Sequence, residues 1–190
     1  MNTDWTFSQN SLLSKGALDV KVGICLSLSY EWCKRRLAGM ATGESNMAKS
    51  YPSMSQQRAF LDFKQSGKNS QQWITMLATG DSLQCNLIAN GNWAGGSYAG
   101  LAAPVDQLPA GVFILIATGA TTAHAMTLSF GKTGTLFFDP NTGQYSVSAG
   151  KIGSDVEAHL TTYYSGVDPF SPGYWRVFQL AGNPTHLPSV

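Results

Sequence analysis

VFILIATGATTAHAMTLSFGKTGTLFFDPN, residues 112–141, decides the fold. Val112 to Thr118 is a short apolar run, the length of a strand rather than of a helix. Ala123 to Phe130 is a second run. Gly131-Lys132-Thr133-Gly134 then reads as a turn. Thr135 to Phe138 is a third run, ending at Asp139-Pro140-Asn141, where the proline stops regular pairing. Gln144 to Ser148 and Tyr174 to Leu180 read as two more strands. The group predicts an antiparallel sheet.

Upstream the period changes from strand to helix. In GICLSLSYEWCKRRL, residues 23–37, Ile24, Leu28 and Trp32 recur at helical spacing. Lys34, Arg35 and Arg36 lie near its C-terminal end, where the dipole favours cations. This predicts a mostly buried helix over 24–38, ended by Gly39. A second helix is expected over 54–65, with Ser53 and Gln56 at capping-box spacing and Phe60 and Phe63 facing the core. A third starts near Asn69, with Gln72 three residues on, an apolar stripe of Trp73, Met76 and Leu77, and a stop at Gly80. Residues 82–89 are expected to form a short fourth helix. The Gly-, Ala- and Pro-rich stretch from Asn90 to Gly111 reads as a long connection, either functional or a plain surface loop. Ser154 and Glu157 have capping-box spacing and open a late helix with Val156, Leu160 and Tyr163 inside. Residues 1–15 and 183–190 are expected to be loosely held. Helices first, then an antiparallel sheet with one late helix, is the signature of an α+β fold. A chain of 190 residues suits a single domain over 1–190.

Hydrophobic residues make up 43% of the chain and charged residues only 12%, so the chain reads as globular with an uncharged polar surface. The net charge is +1 and no Lys/Arg run is longer than Lys34-Arg35-Arg36, which argues against a nucleic-acid partner. No apolar run reaches the roughly 18 residues of a transmembrane segment. The N-terminus lacks a basic patch followed by an apolar core, so no classical signal peptide is expected, and export would need a specialised route. Cys25 and Cys33 would lie about 12 Å apart along one helix, too far for a disulfide. No CxxC or HxxxH spacing exists and the histidines are scattered, so neither a metal site nor a cofactor is expected.

The chemistry-bearing residues are Cys25, His124 and Asp139. Cys25 begins its helix, where the positive end of the dipole favours the thiolate, the nucleophilic form. Gly23 before it would let a substrate backbone approach closely. By itself the signal is weak, and Cys25 reads first as a core cysteine. His124 begins one strand and Asp139 closes the next. Alone, each has an ordinary alternative, a hydrogen-bonded strand histidine and a turn aspartate before proline. Pairing those strands as a hairpin brings the two residues together at one edge of the sheet, where the carboxylate can fix the histidine's tautomer. Trp93 and Tyr98 in the Gly-rich stretch are candidate substrate contacts. Cys33 reads as core, His159 as a surface or packing residue of the late helix, and His186 as part of the tail.

The order of Cys25, His124 about a hundred residues later, and Asp139 shortly after resembles the papain-like clan of cysteine proteases. Its closest likeness is to the YopT and AvrPphB family of bacterial effector proteases. The matching residues are Gly23-Ile24-Cys25 with Leu28, Ser29 and Trp32, Ala123-His124-Ala125-Met126 with Leu128, and Phe137-Phe138-Asp139-Pro140-Asn141 with Gly143. The resemblance implies a papain-like fold with N-terminal helices packed on a C-terminal antiparallel sheet. It implies a secreted bacterial effector, delivered into a host cell with the help of a secretion machine or chaperone, that cleaves a host protein without a cofactor. One departure stands out. Papain-like enzymes place Gln or Asn five or six residues before the cysteine to complete the oxyanion hole, whereas this chain has Val20 and Asp19. An ionised aspartate repels an oxyanion, and one lost donor typically costs roughly 10²–10³ in rate. Lys21 or a donor elsewhere is the available substitute. The departure keeps three alternatives open: a catalytically weak or inactive effector that acts by binding, a deamidase, and a cell-wall amidase.

Overall fold

A computed structural model describes residues 1–13, 24–49, 59, 67, 69–93, 97–119, 122–131, 134–148, 150–165, 170 and 173–187. These form β1 (Asn2–Thr6), α1 (Asn10–Leu13), α2 (Cys25–Leu37), α3 (Glu44–Ala48), α4 (Ser70–Gly80), β2 (Gln84–Trp93), α5 (Ala102–Asp106), β3 (Gly111–Thr118), β4 (Ala123–Gly131), β5 (Gly134–Asp139), β6 (Gly143–Val147), α6 (Ile152–Tyr164) and β7 (Gly173–Ala181). The strands make one antiparallel seven-stranded sheet in the order β1-β6-β5-β4-β3-β7-β2. The architecture is α+β.

The apolar run of β3 lies between β4 and β7 in the interior of the sheet and is buried on both faces. Ile114 and Ile116 join a core with Ile24, Leu28 and Trp32 of α2 and Trp73 and Ile74 of α4. Phe113, Leu115 and Ala117 point the other way, into a second core with Ile152, Val156 and Leu160 of α6. Alternation therefore assigns each residue of β4 and β5 to a face: Ala125 and Phe138 to the α2 side, Met126 and Phe137 to the α6 side.

The helix expected over 24–38 is α2. Gly39 ends it with a positive φ of 68°, and the bonds Gly39 N–H to Arg36 O and Met40 N–H to Arg35 O form a Schellman cap. The capping box expected at Asn69 and Gln72 opens α4. The helix expected over 54–65 lies outside the described residues, apart from Ala59.

Four expectations are corrected. Residues 82–89 are not a helix but most of β2, an edge strand whose register shifts between Leu87 and Ala89. That irregularity breaks the two-residue alternation, so the sequence loses its strand period. The Gly-rich connection is strand to Trp93 and carries the short helix α5. The N-terminus is tied down: β1 pairs with β6, and the ring of Trp5 lies 5.5 Å from that of Phe138. The tail is tied too, since Thr185 N–H donates to Asp81 O at 3.0 Å and Lys34 Nζ to His186 O at 3.1 Å.

The opening of α6 also differs from its expected capping box. Glu157 Oε1 accepts from Leu101 N–H at 2.9 Å and Ala102 N–H at 2.8 Å, which caps α5. Asp106 Oδ1 in turn accepts from Gly153 N–H at 2.8 Å. The two helices thus satisfy each other's first-turn amides.

Candidate active site

Cys25 is the first residue of α2, partly exposed, with its thiol at the end of the helix where backbone N–H groups lack carbonyl partners. One turn further on, Ser29 Oγ donates to Ala125 O at 2.9 Å. Two turns on, the Cys33 thiol faces Phe113 O at 3.7 Å. Cys25, Ser29 and Cys33 share one side of the helix, and their small side chains bring that side close to β4 and β3. The stripe sets the thiol against the start of β4.

His124 is the second residue of β4 and lies on the α6 side, as alternation from Met126 requires. Asp139 ends β5 on the same side, and its side chain is fully buried. The β4–β5 register pairs Thr127 with Phe138, so Asp139 falls beside the first residues of β4. His124 Nε2 meets Asp139 Oδ1 at 2.7 Å. A buried carboxylate accepts only, so Nε2 carries the hydrogen, and Nδ1 is left for the thiol with which His124 also hydrogen-bonds. The Cys25 thiol reaches the histidine around the beginning of β4, from the opposite face of the sheet. The structure therefore brings Cys25, His124 and Asp139 together in the expected order.

The electrostatics follow from that geometry. Burial pushes the Cys25 thiol up. The charge of His124, its hydrogen bond and the amides of Ala125 and Leu26 outweigh burial and leave the thiol below its ordinary value. Burial pushes His124 down, but the charges of Asp139 and Cys25 and the hydrogen bonds to both raise it to about 10. Burial alone would raise Asp139. The charge and hydrogen bond of His124, with the hydrogen bond of His159, hold it far below the usual carboxylate range. Burial raises the thiols of Cys33 and Cys85, so Cys25 is the one cysteine favoured as thiolate.

Asp139 has more partners than the sequence indicated. Oδ1 also accepts from Asn141 N–H at 2.8 Å, while Oδ2 accepts from His159 Nε2 at 2.8 Å and Tyr164 O–H at 2.8 Å. Four donors saturate the carboxylate's lone-pair sites. Asn141 Nδ2 donates to Tyr164 Oη at 3.0 Å, and Gln9 Nε2 donates to Asn141 Oδ1 at 2.6 Å. His159 is thus neither a surface nor a plain packing residue. Its position was legible: Val156, His159, Leu160 and Tyr163 follow helical spacing, which puts His159 on the buried stripe. Tyr163, expected inside, is 52% exposed, and the neighbouring Tyr164 reaches the site instead.

Trp93 and Tyr98 do not line the site. Both are buried, their rings 5.2 Å apart, with Trp175 beside Trp93 and Phe170 beside Tyr98. Phe170 in turn stacks 6.4 Å from His124, so the pair stands behind the histidine and offers no surface to a substrate. Gly23, like Asp19, Val20 and Lys21, lies outside the described residues. Among the described residues no cluster of His, Cys, Asp and Glu could hold a metal ion.

No family model and no curated protein matches the sequence. Among solved structures, the crystal structure of the Pseudomonas avirulence protein AvrPphB matches with a TM-score of 0.61, over 84% of this chain and 92% of its own, at 17% identity. The fold is papain-like. At that identity the likeness establishes architecture, and function has to be argued from the site.

Proposed function

We propose that this chain is a cysteine protease in which Cys25 is the nucleophile, His124 the general acid–base and Asp139 the orienting carboxylate. The observation that carries the reading is the hydrogen-bonded series from the Cys25 thiol through His124 to Asp139, with His124 Nε2 2.7 Å from Asp139 Oδ1. The paired shifts of thiol and imidazole favour a thiolate–imidazolium pair at neutral pH. The thiolate attacks the scissile carbonyl carbon. The amide N–H of Cys25 belongs to the open first turn of α2 and is the backbone donor this reading assigns to the oxyanion. As the C–N bond breaks, the proton on His124 Nδ1 passes to the leaving amine and a thioester remains. Nδ1 then takes a proton from water, which attacks the thioester and releases the acid and the thiolate. No cofactor takes part in these steps.

The likeness to AvrPphB supports a bacterial effector whose substrate is a protein of the host cell. Delivery through a specialised machine, aided by a chaperone, belongs to the same reading. No described helix is long and apolar enough to cross a membrane.

The test incubates wild-type protein and Cys25→Ala with a eukaryotic cell lysate and maps new protein N-termini by mass spectrometry. New termini made by wild type alone support the protease. Identical termini with both proteins overturn it. Glutamine deamidation without cleavage, dependent on Cys25, replaces the protease with a deamidase at the same site.

A further inference from the structure

His159 approaches the candidate active site from behind. It sits on α6, buried, and its Nε2 lies 2.8 Å from Asp139 Oδ2, while His124 Nε2 lies 2.7 Å from Oδ1 of the same carboxylate. Two imidazoles therefore flank one negative charge. The proposed reaction needs only one of them. The ring of His159 is enclosed by Phe137 at 4.9 Å, Tyr145 at 5.2 Å and Tyr163 at 4.6 Å, and Thr142 Oγ1 lies 3.4 Å from Nε2. The titratable groups around it are Asp139 on β5, Tyr145 on β6 and Tyr163 and Tyr164 on its own helix, with His124 on the far side of Asp139. Tyrosines are neutral near pH 7, which leaves Asp139 as the charge that His159 meets directly.

A neutral His159 donating from Nε2 fixes Oδ2 and thereby keeps Oδ1 aimed at His124. A protonated His159 makes the same hydrogen bond but adds a positive charge. That charge competes with the His124 imidazolium for Asp139. Any loss of support for the imidazolium is also a loss for the thiolate paired with it.

We propose that His159 is a positioning residue that shares the Asp139 carboxylate with His124, so that protonation of His159 weakens the Cys25–His124 pair and lowers Cys25 reactivity in acid. This rests on the protease reading of the site. It gives the site a built-in sensitivity to mild acid.

The experiment follows iodoacetamide alkylation of Cys25 in the whole chain by mass spectrometry between about pH 4.5 and 9, a range that spans histidine titration. Cys33 and Cys85 are internal references, and His159→Gln and His159→Phe are the variants. Glutamine places an amide N–H near the position of Nε2 but cannot be charged. In wild type the rate is expected to fall in acid more steeply than one ionisation allows. His159→Gln should keep the neutral-pH rate and fall as a single ionisation. His159→Phe, which removes the donor, should lose about tenfold at neutral pH, the effect of one pKa unit. Survival of the steep acid limb in His159→Gln, or a wild-type profile in His159→Phe, overturns the proposal. If the phenylalanine protein fails to fold by circular dichroism, the acid limb of the glutamine protein decides alone. Wild-type Cys25 labelling no faster than Cys33 and Cys85 would overturn the protease reading and this inference with it. An activated Cys25 indifferent to His159 overturns this inference alone.

Discussion

Asp139→Asn removes one charge and almost no volume, and its effect can be worked from the site. Ordinary histidine titrates near 6.5, and His124 stands at about 10 against the opposing effect of burial. A rise of between three and four units corresponds to about 5 kcal/mol of preference for the imidazolium. The Asp139 charge is the leading cause of the rise, ahead of Cys25. If the Asp139 charge supplies even half of that preference, its loss costs roughly 2–3 kcal/mol, on the order of a hundredfold in the thiolate–imidazolium population. A second effect adds to the first. Four donors meet the carboxylate, two on each oxygen, and a carboxamide offers acceptor character on one side only. With the amide nitrogen toward His124, Nε2 must accept and the proton moves to Nδ1, where it faces the thiol and blocks its deprotonation. With the oxygen toward His124, His159 and Tyr164 both meet an N–H, and each buried unpaired donor costs about 1–3 kcal/mol.

Iodoacetamide labelling of Cys25 at pH 7 is therefore expected to slow about a hundredfold, and proteolysis by up to about 10⁴ where the wrong tautomer prevails. Labelling is read by mass spectrometry with Cys33 and Cys85 as references, and folding by circular dichroism. A folded Asp139→Asn protein whose Cys25 reacts within about threefold of wild type would refute the reasoning, because the carboxylate would then not be supporting the pair.

Acid stability carries a second signature of the same carboxylate. A depressed native pKa contributes stability that is present above the ordinary value near 4 and is lost as pH falls toward the native one. The melting temperature of wild type should fall more steeply than that of Asp139→Asn between about pH 4 and 2, and parallel curves would refute this. Between about pH 6.5 and 8.5 Cys25 and His124 carry opposite signs: His124, raised, loses stabilisation with rising pH while Cys25, lowered, gains it, so the two together leave stability nearly flat there. Gly143→Ala tests the edge of the sheet. Gly143 has φ +126°, and a Cβ would meet the backbone of Trp5 and Thr6 on β1. The urea midpoint should drop by the equivalent of about 1–3 kcal/mol, with β1 amides losing hydrogen-exchange protection; an unchanged midpoint would refute the β1–β6 register.

Helix α2, helix α4 and the strands from β3 onward were legible because each carries an unbroken period: Ile24, Leu28 and Trp32 every four residues, and the apolar run of β3. The meeting of His124 and Asp139 was legible because hairpin pairing alone brings the start of β4 beside the end of β5. Where the period breaks, the reading failed. Leu87 and Ile88 are adjacent apolar residues at an irregularity of β2, so they read as helix. Trp5 of β1 and Phe7 just after it alternate, but the strand pairs with β6, far along the chain, and a five-residue segment carries too little pattern to reveal that partner. His159 was missed for a different reason. Its helical phase marks it as buried, yet no local signal says that the carboxylate waiting there belongs to the end of β5, twenty residues earlier.

The position of Cys25 across the sheet from its partners has a mechanical consequence. The thiol belongs to the face packed by α2, while His124 and Asp139 belong to the face packed by α6. They meet only at the beginning of β4, where no further residue of that strand separates the two faces. Each half of the site is consequently held by a different core. Ser29, bonded to Ala125 O, ties α2 to the residue after His124, and Tyr164 and His159 tie α6 to Asp139. A rotation of α2 against the sheet would pull thiol and imidazole apart without disturbing the His124–Asp139 bond, because that bond lies wholly within neighbouring strands. The weak joint of the site is therefore the one between sulfur and Nδ1, and its length depends on the contact of α2 with the sheet, while α6 secures Asp139 from the other face.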